Sequence, residues 1–187
     1  MMLTDFQKTV LDIARSAILE KLTGETIIDK EQLLQKYPQL EEPGAVFVTL
    51  NKNNRLRGCI GSIQPYRTLL DDIIGNAKSA AFNDPRFDAL KPEELNKIKL
   101  EVSVLSQPEP VSYQSIGELK DAIKPHVDGV VLTSGFHRAV FLPQVWEQLP
   151  DFNLFFEHLC KKAGLPGNCL SSFPDIEKFN VTIFEEP

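Results

Sequence analysis

The fold is decided by one stretch of the sequence, 45-AVFVTLNKNNRLRGCIGSI-63. Residues 45–51 are rich in β-branched and aromatic side chains and therefore predict a strand. A turn at residues 52–54 follows, because asparagine accepts the positive φ that a tight turn requires. A second extended run continues from Leu56 to Ile63, so the whole stretch predicts a β-hairpin.

Helices and strands follow one another irregularly around this hairpin. From apolar spacing and capping residues, helices are predicted over residues 4–24, 30–37, 68–82, 115–124 and 151–163, a short one near 92–96, and strands over 99–105, 129–133, 138–142 and 179–184. A hairpin, a helix and a strand occur twice in this order, which predicts an α+β fold with an antiparallel or mixed sheet and flanking helices. We expect residues 1–187 to form a single domain. An alternative division inserts a subdomain of residues 51–107 into a larger one of residues 1–50 plus 108–187.

Composition and charge exclude several classes of protein. The formal charge of −6 and the absence of any Lys/Arg run argue against a general nucleic-acid binder, because such binding depends on neutralising phosphates. A small local basic site stays open as an alternative. No apolar run approaches the ~20 residues that span a bilayer, so no membrane association is expected. The start of the chain lacks the basic region and apolar stretch of a signal peptide. We therefore predict a cytoplasmic protein.

The cysteines predict neither disulfides nor a metal site. The chain has three, Cys59, Cys160 and Cys169, without CxxC spacing. In a cytosolic chain they are expected to be reduced thiols. His158 and Cys160 lie two apart on a predicted helix and point about 200° apart, so they cannot share a zinc ion. We predict no metal and no cofactor.

The segment from Leu56 to Gly61 is the best candidate for a functional site. Glycine weakens a strand, so Gly58 and Gly61 mark a bulge or the close approach of a backbone or ligand. Arg57 lies two residues before Cys59, on the same face of a regular strand, where its charge would favour the thiolate. Cys59 is thus a candidate nucleophile or ligand contact, and Arg57 and both glycines are candidate substrate contacts. The alternative is a buried thiol with glycines that serve packing.

A second cluster occupies residues 83–88. Arg86 offers a rigid fork to a carboxylate or phosphate, and Asp84 would orient it. The alternative is an Asp–Arg pair that pins the loop. If Arg86 lies beside Cys59, a thiol and two guanidiniums would form a pocket for a small anionic ligand. His137, the histidine with the most exposed sequence context, is a candidate for a base that acts on Cys59.

Seven ordered motifs resemble the AMMECR-one domain family. They are FVTL (47–50), LRGCIG (56–61), AAFNDPRF (80–87), EVSVLS (101–106), DGVVL (128–132), FLPQVWEQLPD (141–151) and CKKAGLP (160–166). Bacterial and archaeal members of that family resemble AmmeMemoRadiSam system protein A. The resemblance implies an α+β fold with a barrel-like sheet built from two similar halves. It also implies two partners, a radical S-adenosylmethionine enzyme and a Memo-type protein.

Two hypotheses for function follow, since the resemblance implies a fold and a site but no reaction. The first is an enzyme or ligand-binding protein in which Cys59 is the nucleophile or substrate contact, and Arg57 and Arg86 bind an anionic group. The second is a non-catalytic adaptor, scaffold or protein substrate of the radical enzyme and the Memo-type protein. It rests on those implied partners and on the absence of a phosphate loop or a Ser-His-Asp arrangement in the sequence.

Overall fold

The computed structural model describes residues 3–187 and divides them into two compact units. The start of the chain was used to predict that it has no signal peptide, and Met1 and Met2 of that segment lie outside the described residues. One unit extends to Leu105 and includes Thr182–Pro187, and the other is Ser106–Val181. This division differs from the alternative with an inserted subdomain of residues 51–107, because the strand that begins at Pro43 pairs with the strand that ends at Leu105; the insertion itself stays a prediction. That both units act as one domain stays a prediction.

The helices and strands lie close to their predicted positions. In chain order the helices are α1 (Asp5–Thr23), α2 (Lys30–Lys36), α3 (Leu69–Phe82), α4 (Ile116–Ala122), α5 (Val145–Gln148) and α6 (Phe152–Lys162). The strands are β1 (Pro43–Lys52), β2 (Arg55–Gly61), β3 (Arg67–Thr68), β4 (Ile98–Leu105), β5 (Glu109–Pro110), β6 (Gly129–Ser134), β7 (His137–Phe141), β8 (Asp175–Phe179) and β9 (Val181–Glu185). Short 3-10 helices occupy Pro38–Glu41, Pro92–Lys97 and Cys169–Ser172.

The first unit is a five-stranded antiparallel sheet with helices packed on one face. Its strand order is β2-β1-β4-β9, and β3 pairs with the start of β1. Alternate residues of β1, namely Val46, Val48 and Leu50, are fully buried in one cluster with apolar side chains of α1 and α3. Because side chains alternate along a strand, Thr49 lies on the opposite face of the sheet.

A buried polar cluster fixes α3 to the sheet. The Asp72 side chain is fully buried and accepts hydrogen bonds from the Val46 backbone at 2.8 Å, the Ser62 hydroxyl at 2.8 Å and Arg67 Nε at 2.7 Å. Asn76 donates to the same carboxylate at 3.0 Å. With so many donors the buried charge is compensated, and β1 and α3 are held in one register.

The second unit is a four-stranded antiparallel sheet with its own core. The strand order is β5-β8-β6-β7. The fully buried Trp146 stacks on Phe155 with ring centroids 3.6 Å apart, and its indole N–H donates to the Asp128 carbonyl at 2.9 Å. This aromatic pair anchors α5 and α6 to each other.

The prediction of an α+β fold with two similar halves is confirmed. In the first unit β1 lies between its hairpin partner β2 and the strand after the next helix, β4. In the second unit β6 lies in the same way between β7 and β8. Both sheets are open, however, and over residues 3–187 neither closes into a barrel, so the barrel-like expectation does not hold. Among the described residues, the edge strands β2 and β9 of the first sheet do not pair with each other, and neither do the edge strands β5 and β7 of the second sheet.

The single strand predicted over residues 179–184 is in fact two strands that belong to different sheets. Asn180 interrupts it, because its backbone N–H donates to the Ser106 hydroxyl at 2.9 Å and its carbonyl accepts from the Ser106 N–H at 2.8 Å. These bonds end β8 before β9 begins.

The prediction of three reduced cysteines is wrong for two of them. Cys160 in α6 and Cys169 form a disulfide, with Cα atoms 5.8 Å apart, while Cys59 is free. The chain reverses after α6 at Gly164, where φ is +78°, and the Leu165 N–H returns to the Cys160 carbonyl at 3.0 Å. This reversal brings Cys169 back to the helix, and sequence spacing alone could not reveal it. None of the described helices has the length and apolar character needed to cross a bilayer.

Candidate functional site

Cys59 lies in β2, at the edge of the first sheet. It is half-buried and pairs in register with Thr49 of β1. Opposed side chains of an antiparallel pair lie close together, and the Thr49 hydroxyl donates a hydrogen bond to the Cys59 sulfur at 3.3 Å. The sulfur therefore lies on the face of the sheet opposite the core, and it has a polar neighbour in Thr49.

The outer edge of β2 at Cys59 is occupied by two side chains from the loop after α3. The Cys59 N–H donates to Asp84 Oδ2 at 2.9 Å, and the Cys59 carbonyl accepts from Arg86 Nη2 at 3.2 Å. An acceptor and a donor at these positions imitate the next strand of a sheet and satisfy an otherwise open edge. The structure therefore brings together Cys59, Asp84 and Arg86, three of the residues predicted for the site.

Asp84 orients Arg86, as the sequence predicted. Arg86 Nε donates to Oδ1 at 2.9 Å, Nη2 donates to Oδ2 at 2.7 Å, and the Arg86 backbone N–H donates to Oδ1 at 3.1 Å. The Asp84 side chain is almost fully buried, whereas 54% of the Arg86 side chain is exposed. The hydrogen bond from Arg86 holds the pKa of Asp84 far below its usual range, although burial opposes it. Asp84 in turn raises the pKa of Arg86, so both groups stay charged.

The guanidinium of Arg57 is bound to a carboxylate of the chain itself. The register of β1 and β2 shifts between Leu50 and Asn51, and this bulge leaves Arg57 without a partner residue on β1. Its Nε and Nη2 donate to Glu94 at 3.2 and 3.0 Å. The pKa of Glu94 is lowered by these bonds and by the Lys52 ammonium 2.7 Å away. The same-face argument for Arg57 and Cys59 assumed a regular strand, and the bulge removes that assumption.

The two glycines of the motif are occupied by packing contacts. A Cβ on Gly58 would lie 2.2 Å from the Ala80 carbonyl oxygen, so the backbone of α3 rests directly on β2. A Cβ on Gly61 would lie 2.3 Å from the ring of Phe47, its register partner on β1. The close backbone approach predicted from Gly58 is therefore made by a helix. That either glycine also contacts a ligand stays a prediction.

Three residues of this region were missed by sequence reasoning, namely Thr49, Glu94 and Glu101. Glu94 binds Arg57. Thr49 pairs with Cys59 on one side and with Glu101 of β4 on the other, so Cys59, Thr49 and Glu101 form a row across the sheet. Burial raises the pKa of Glu101, and the nearby Glu185 carboxylate raises it further. Strand alternation places Thr49 and Glu101 on one face, but only the register of pairing could have placed them beside Cys59.

His137 belongs to the second unit, at the start of β7. Its Nδ1 lies 2.9 Å from the Ala163 carbonyl, which accounts for one of its ring nitrogens. That His137 serves as a base for Cys59 stays a prediction. Within residues 3–187, no three His, Cys, Asp or Glu side chains gather in a way that could hold a metal ion.

The chain is similar to known proteins along nearly its whole length. The AMMECR1 family model matches residues 11–184. A protein of Methanothermobacter thermautotrophicus is 40% identical over 186 residues, which cover 97% of this chain and 95% of that protein. Protein Mbar_A1807 of Methanosarcina barkeri is 36% identical over 191 residues, which cover 99% and 93%. The crystal structure of the uncharacterized protein PH0010 from Pyrococcus horikoshii has a TM-score of 0.77 and 36% identity, and the match covers 99% of this chain and 93% of that one.

Proposed function

Because the chain belongs to the AMMECR1 family and carries a free thiol at a braced sheet edge, we propose that it binds a ligand beside β2 and that Cys59 is the group that contacts or attacks it. One observation carries this proposal. The backbone of Cys59 is bound on both its N–H and its carbonyl by the Asp84–Arg86 pair, while its sulfur is bound by Thr49. Such bracing fixes the direction of a thiol, which a reacting or recognising group requires.

The surrounding residues have distinct parts in this proposal. The Thr49 hydroxyl stabilises a thiolate more than a thiol, because a hydrogen bond to a charged acceptor is the stronger one. Arg86 keeps a half-exposed guanidinium next to the Cys59 carbonyl, where it can bind the anionic part of a ligand. Gly58 and Gly61 set the position of the strand through their packing contacts.

We further propose that the protein works in the cytoplasm with a radical S-adenosylmethionine enzyme and a Memo-type protein. Support for these partners comes only from the family resemblance of the seven sequence motifs. Co-expression of the chain with each partner and purification through a tag on this chain would test it. Recovery of neither partner at micromolar concentrations would contradict the proposal.

A second function, a non-catalytic adaptor, is favoured by a different observation. The guanidiniums of Arg57 and Arg86 are each paired with a carboxylate of the chain itself, and both glycines are used in packing. On this reading the motif around Cys59 is a structural brace that shapes a partner-binding surface. The adaptor would tolerate replacement of the thiol, and the ligand-binding protein would not.

The deciding experiment is alkylation of the native protein over a range of pH, with each cysteine identified by mass spectrometry. If Cys59 is functional, it reacts in the folded protein, and Cys59→Ser loses ligand or partner activity while keeping its melting temperature. If Cys59 reacts only after denaturation, the thiol is structural and the adaptor becomes the better explanation. Cys59→Ala serves as a second variant, because it removes both the sulfur and its hydrogen bond.

A further inference from the structure

A cleft of about 590 Å³ in the first unit has a charge opposite to that of the whole chain. Its charged lining consists of Lys52, Arg57, Arg86, Lys91 and Lys97 against Asp88, Glu93 and Glu94. The chain as a whole has 26 acidic and 20 basic residues. The cationic side chains of the cleft still outnumber the acidic ones when Asp84, which binds Arg86 from beneath, is included. A local reversal of sign concentrates anions at one place on an otherwise repelling surface.

Part of this positive charge is not neutralised within the cleft. Glu94 is shared by Lys52 and Arg57, so a single carboxylate faces two cations. Lys91 and Lys97, like the acidic Asp88 and Glu93 of the same lining, form no ion pair with any residue between 3 and 187. Arg86 uses Nε and Nη2 for Asp84 and Cys59, which leaves the Nη1 donors for a further acceptor. Arg57 Nη1 is buried and, among the described residues, has no hydrogen-bond partner.

Phe87 contacts the guanidiniums of both arginines in the lining of the cleft. The Arg57 guanidinium lies 6.0 Å from its ring centroid and the Arg86 guanidinium 5.5 Å. Such cation–π contacts limit the rotamers of both side chains. Arg86 also binds the Cys59 carbonyl, so an anion held by Arg86 would lie next to the strand that carries Cys59.

We propose that this cleft binds the phosphate group of a phosphorylated small molecule, through Arg86, Lys91 and Lys97, and that the rest of the molecule extends toward Cys59. A phosphate dianion offers three oxygens and can accept from Arg86 and from Lys91 and Lys97, which lie at the two ends of one 3-10 helix, whereas a carboxylate offers two oxygens in one plane. A nucleic-acid polymer is not the ligand, because the acidic surface outside the cleft would repel its backbone. The position of Cys59 at the far end of the ligand rests on the proposed function, whereas the phosphate site does not.

The test is calorimetric titration of the whole protein with inorganic phosphate, at low and constant ionic strength maintained with sodium chloride. We expect saturable binding with a Kd on the order of 1 mM, as befits a fragment of a larger ligand. Lys91→Gln combined with Lys97→Gln should weaken it about tenfold, and Arg86→Gln should also weaken it. Lys21→Gln, an exposed lysine of α1 outside the cleft, is the matched control and should bind as the wild type does.

The possible outcomes separate the phosphate site from the proposed function. Absence of saturable binding, or equal binding by the double variant, would overturn the phosphate site. Tighter binding of malonate than of phosphate would overturn the choice of phosphate. The same titration on Cys59→Ala should give an unchanged Kd, so the phosphate site can stand even if the alkylation experiment contradicts a function for the thiol.

A second experiment tests whether the ligand extends toward Cys59. The anionic reagent iodoacetate should alkylate Cys59 faster than neutral iodoacetamide does, when both rates are compared with those of free cysteine, and phosphate should suppress that preference. No such preference would overturn this part.

Discussion

The carboxylate of Asp84 accepts the backbone N–H of Cys59 at 2.9 Å, at the position where a further strand would place a carbonyl oxygen. Arg86, bound to the same carboxylate, completes the imitation by donating to the Cys59 carbonyl. The sequence offered two readings of this pair, as a pin for its loop and as part of a site. The geometry unites them, because the loop is pinned to the residue that carries the thiol.

Replacing Asp84 should loosen the strand at Cys59. Asp84→Ala removes several charge-assisted hydrogen bonds, and we expect the free energy of unfolding to fall by about 2–3 kcal/mol at pH 7. Hydrogen exchange at the Cys59 amide should become faster than at the amides of β4, which provide the internal control. Exchange at Cys59 as slow as in the wild type would contradict the proposed brace.

The same carboxylate predicts a pH dependence. The pKa of Asp84 is lower in the folded protein than in the unfolded chain, so its contribution is present at neutral pH. It is lost as the pH falls below about 4, where the unfolded carboxyl takes up its proton. Denaturant unfolding at pH 7 and pH 3 should show that wild type and Asp84→Asn differ less at the lower pH.

Thr49 should control how fast Cys59 reacts. Thr49→Val keeps the shape of the side chain but removes the hydroxyl that donates to sulfur, and we expect alkylation of Cys59 at pH 7 to slow by about three- to tenfold. Thr49→Ser keeps the hydroxyl and should react nearly as the wild type does. Equal rates in all three proteins would show that the contact has no influence on the thiol.

An alanine at position 58 should be much more damaging than one in open space. Gly58→Ala would place a methyl group 2.2 Å from the Ala80 carbonyl oxygen, and the helix must shift, at a cost of about 3 kcal/mol. Gly117 lies in α4, and a Cβ there would have Ser115 Oγ as its nearest neighbour, at 3.8 Å. Gly117→Ala should therefore be neutral or stabilising by up to about 1 kcal/mol. Thermal unfolding of both variants measures the difference, and similar melting temperatures would contradict this account of Gly58.

Counting thiols tests the disulfide between Cys160 and Cys169. The denatured, unreduced protein should show one reactive thiol, from Cys59, and the reduced protein should show three. Replacing both disulfide cysteines by alanine should lower the free energy of unfolding by about 2–3 kcal/mol. Three thiols without a reductant would restore the prediction made from sequence.

Glu101 should weaken the fold as the pH rises. Its pKa is raised by burial and by Glu185, so the folded state binds the proton more tightly than the unfolded chain does. Stability is therefore greatest below the unfolded pKa of about 4.3 and falls as the pH rises through the folded pKa. Glu101→Gln should remove this decline, which unfolding midpoints between pH 4 and pH 8 would reveal. An unchanged pH profile in Glu101→Gln would show that the Glu101 carboxyl is solvated in the folded protein and does not contribute to the decline.

Local chemistry made much of the fold predictable. The helices predicted over residues 4–24 and 68–82 and the turn at Asn53 and Asn54 were predicted correctly, because each depends on residues that are close together in the sequence. The split at Asn180 and the disulfide were not, because both depend on contacts with distant residues. Periodicity carries no information about such contacts.

The site shows the same limit. Cys59, Asp84 and Arg86 were selected by residue type, and their meeting was posed as a question that the fold answers. Thr49 and Glu101 could not be selected from the sequence. Many strands carry a threonine or a glutamate, and only the register of strand pairing shows that these two lie beside Cys59. Arg57 was assigned to the thiol on the assumption of a regular strand, and one bulge was enough to redirect it to Glu94.

The backbones of Gly58 and Ala80 are in direct contact, which makes this part of the molecule rigid. No side chain lies between β2 and α3 at this point, so no rotamer change can compensate for a displacement of either element. The chain runs from Ala80 through Asp84 and Arg86 and is tied back to Cys59, next to the residue where the contact began. Strand, helix end and loop thus form a closed ring. We expect a displacement of Cys59 to be coupled to the end of α3 through this ring.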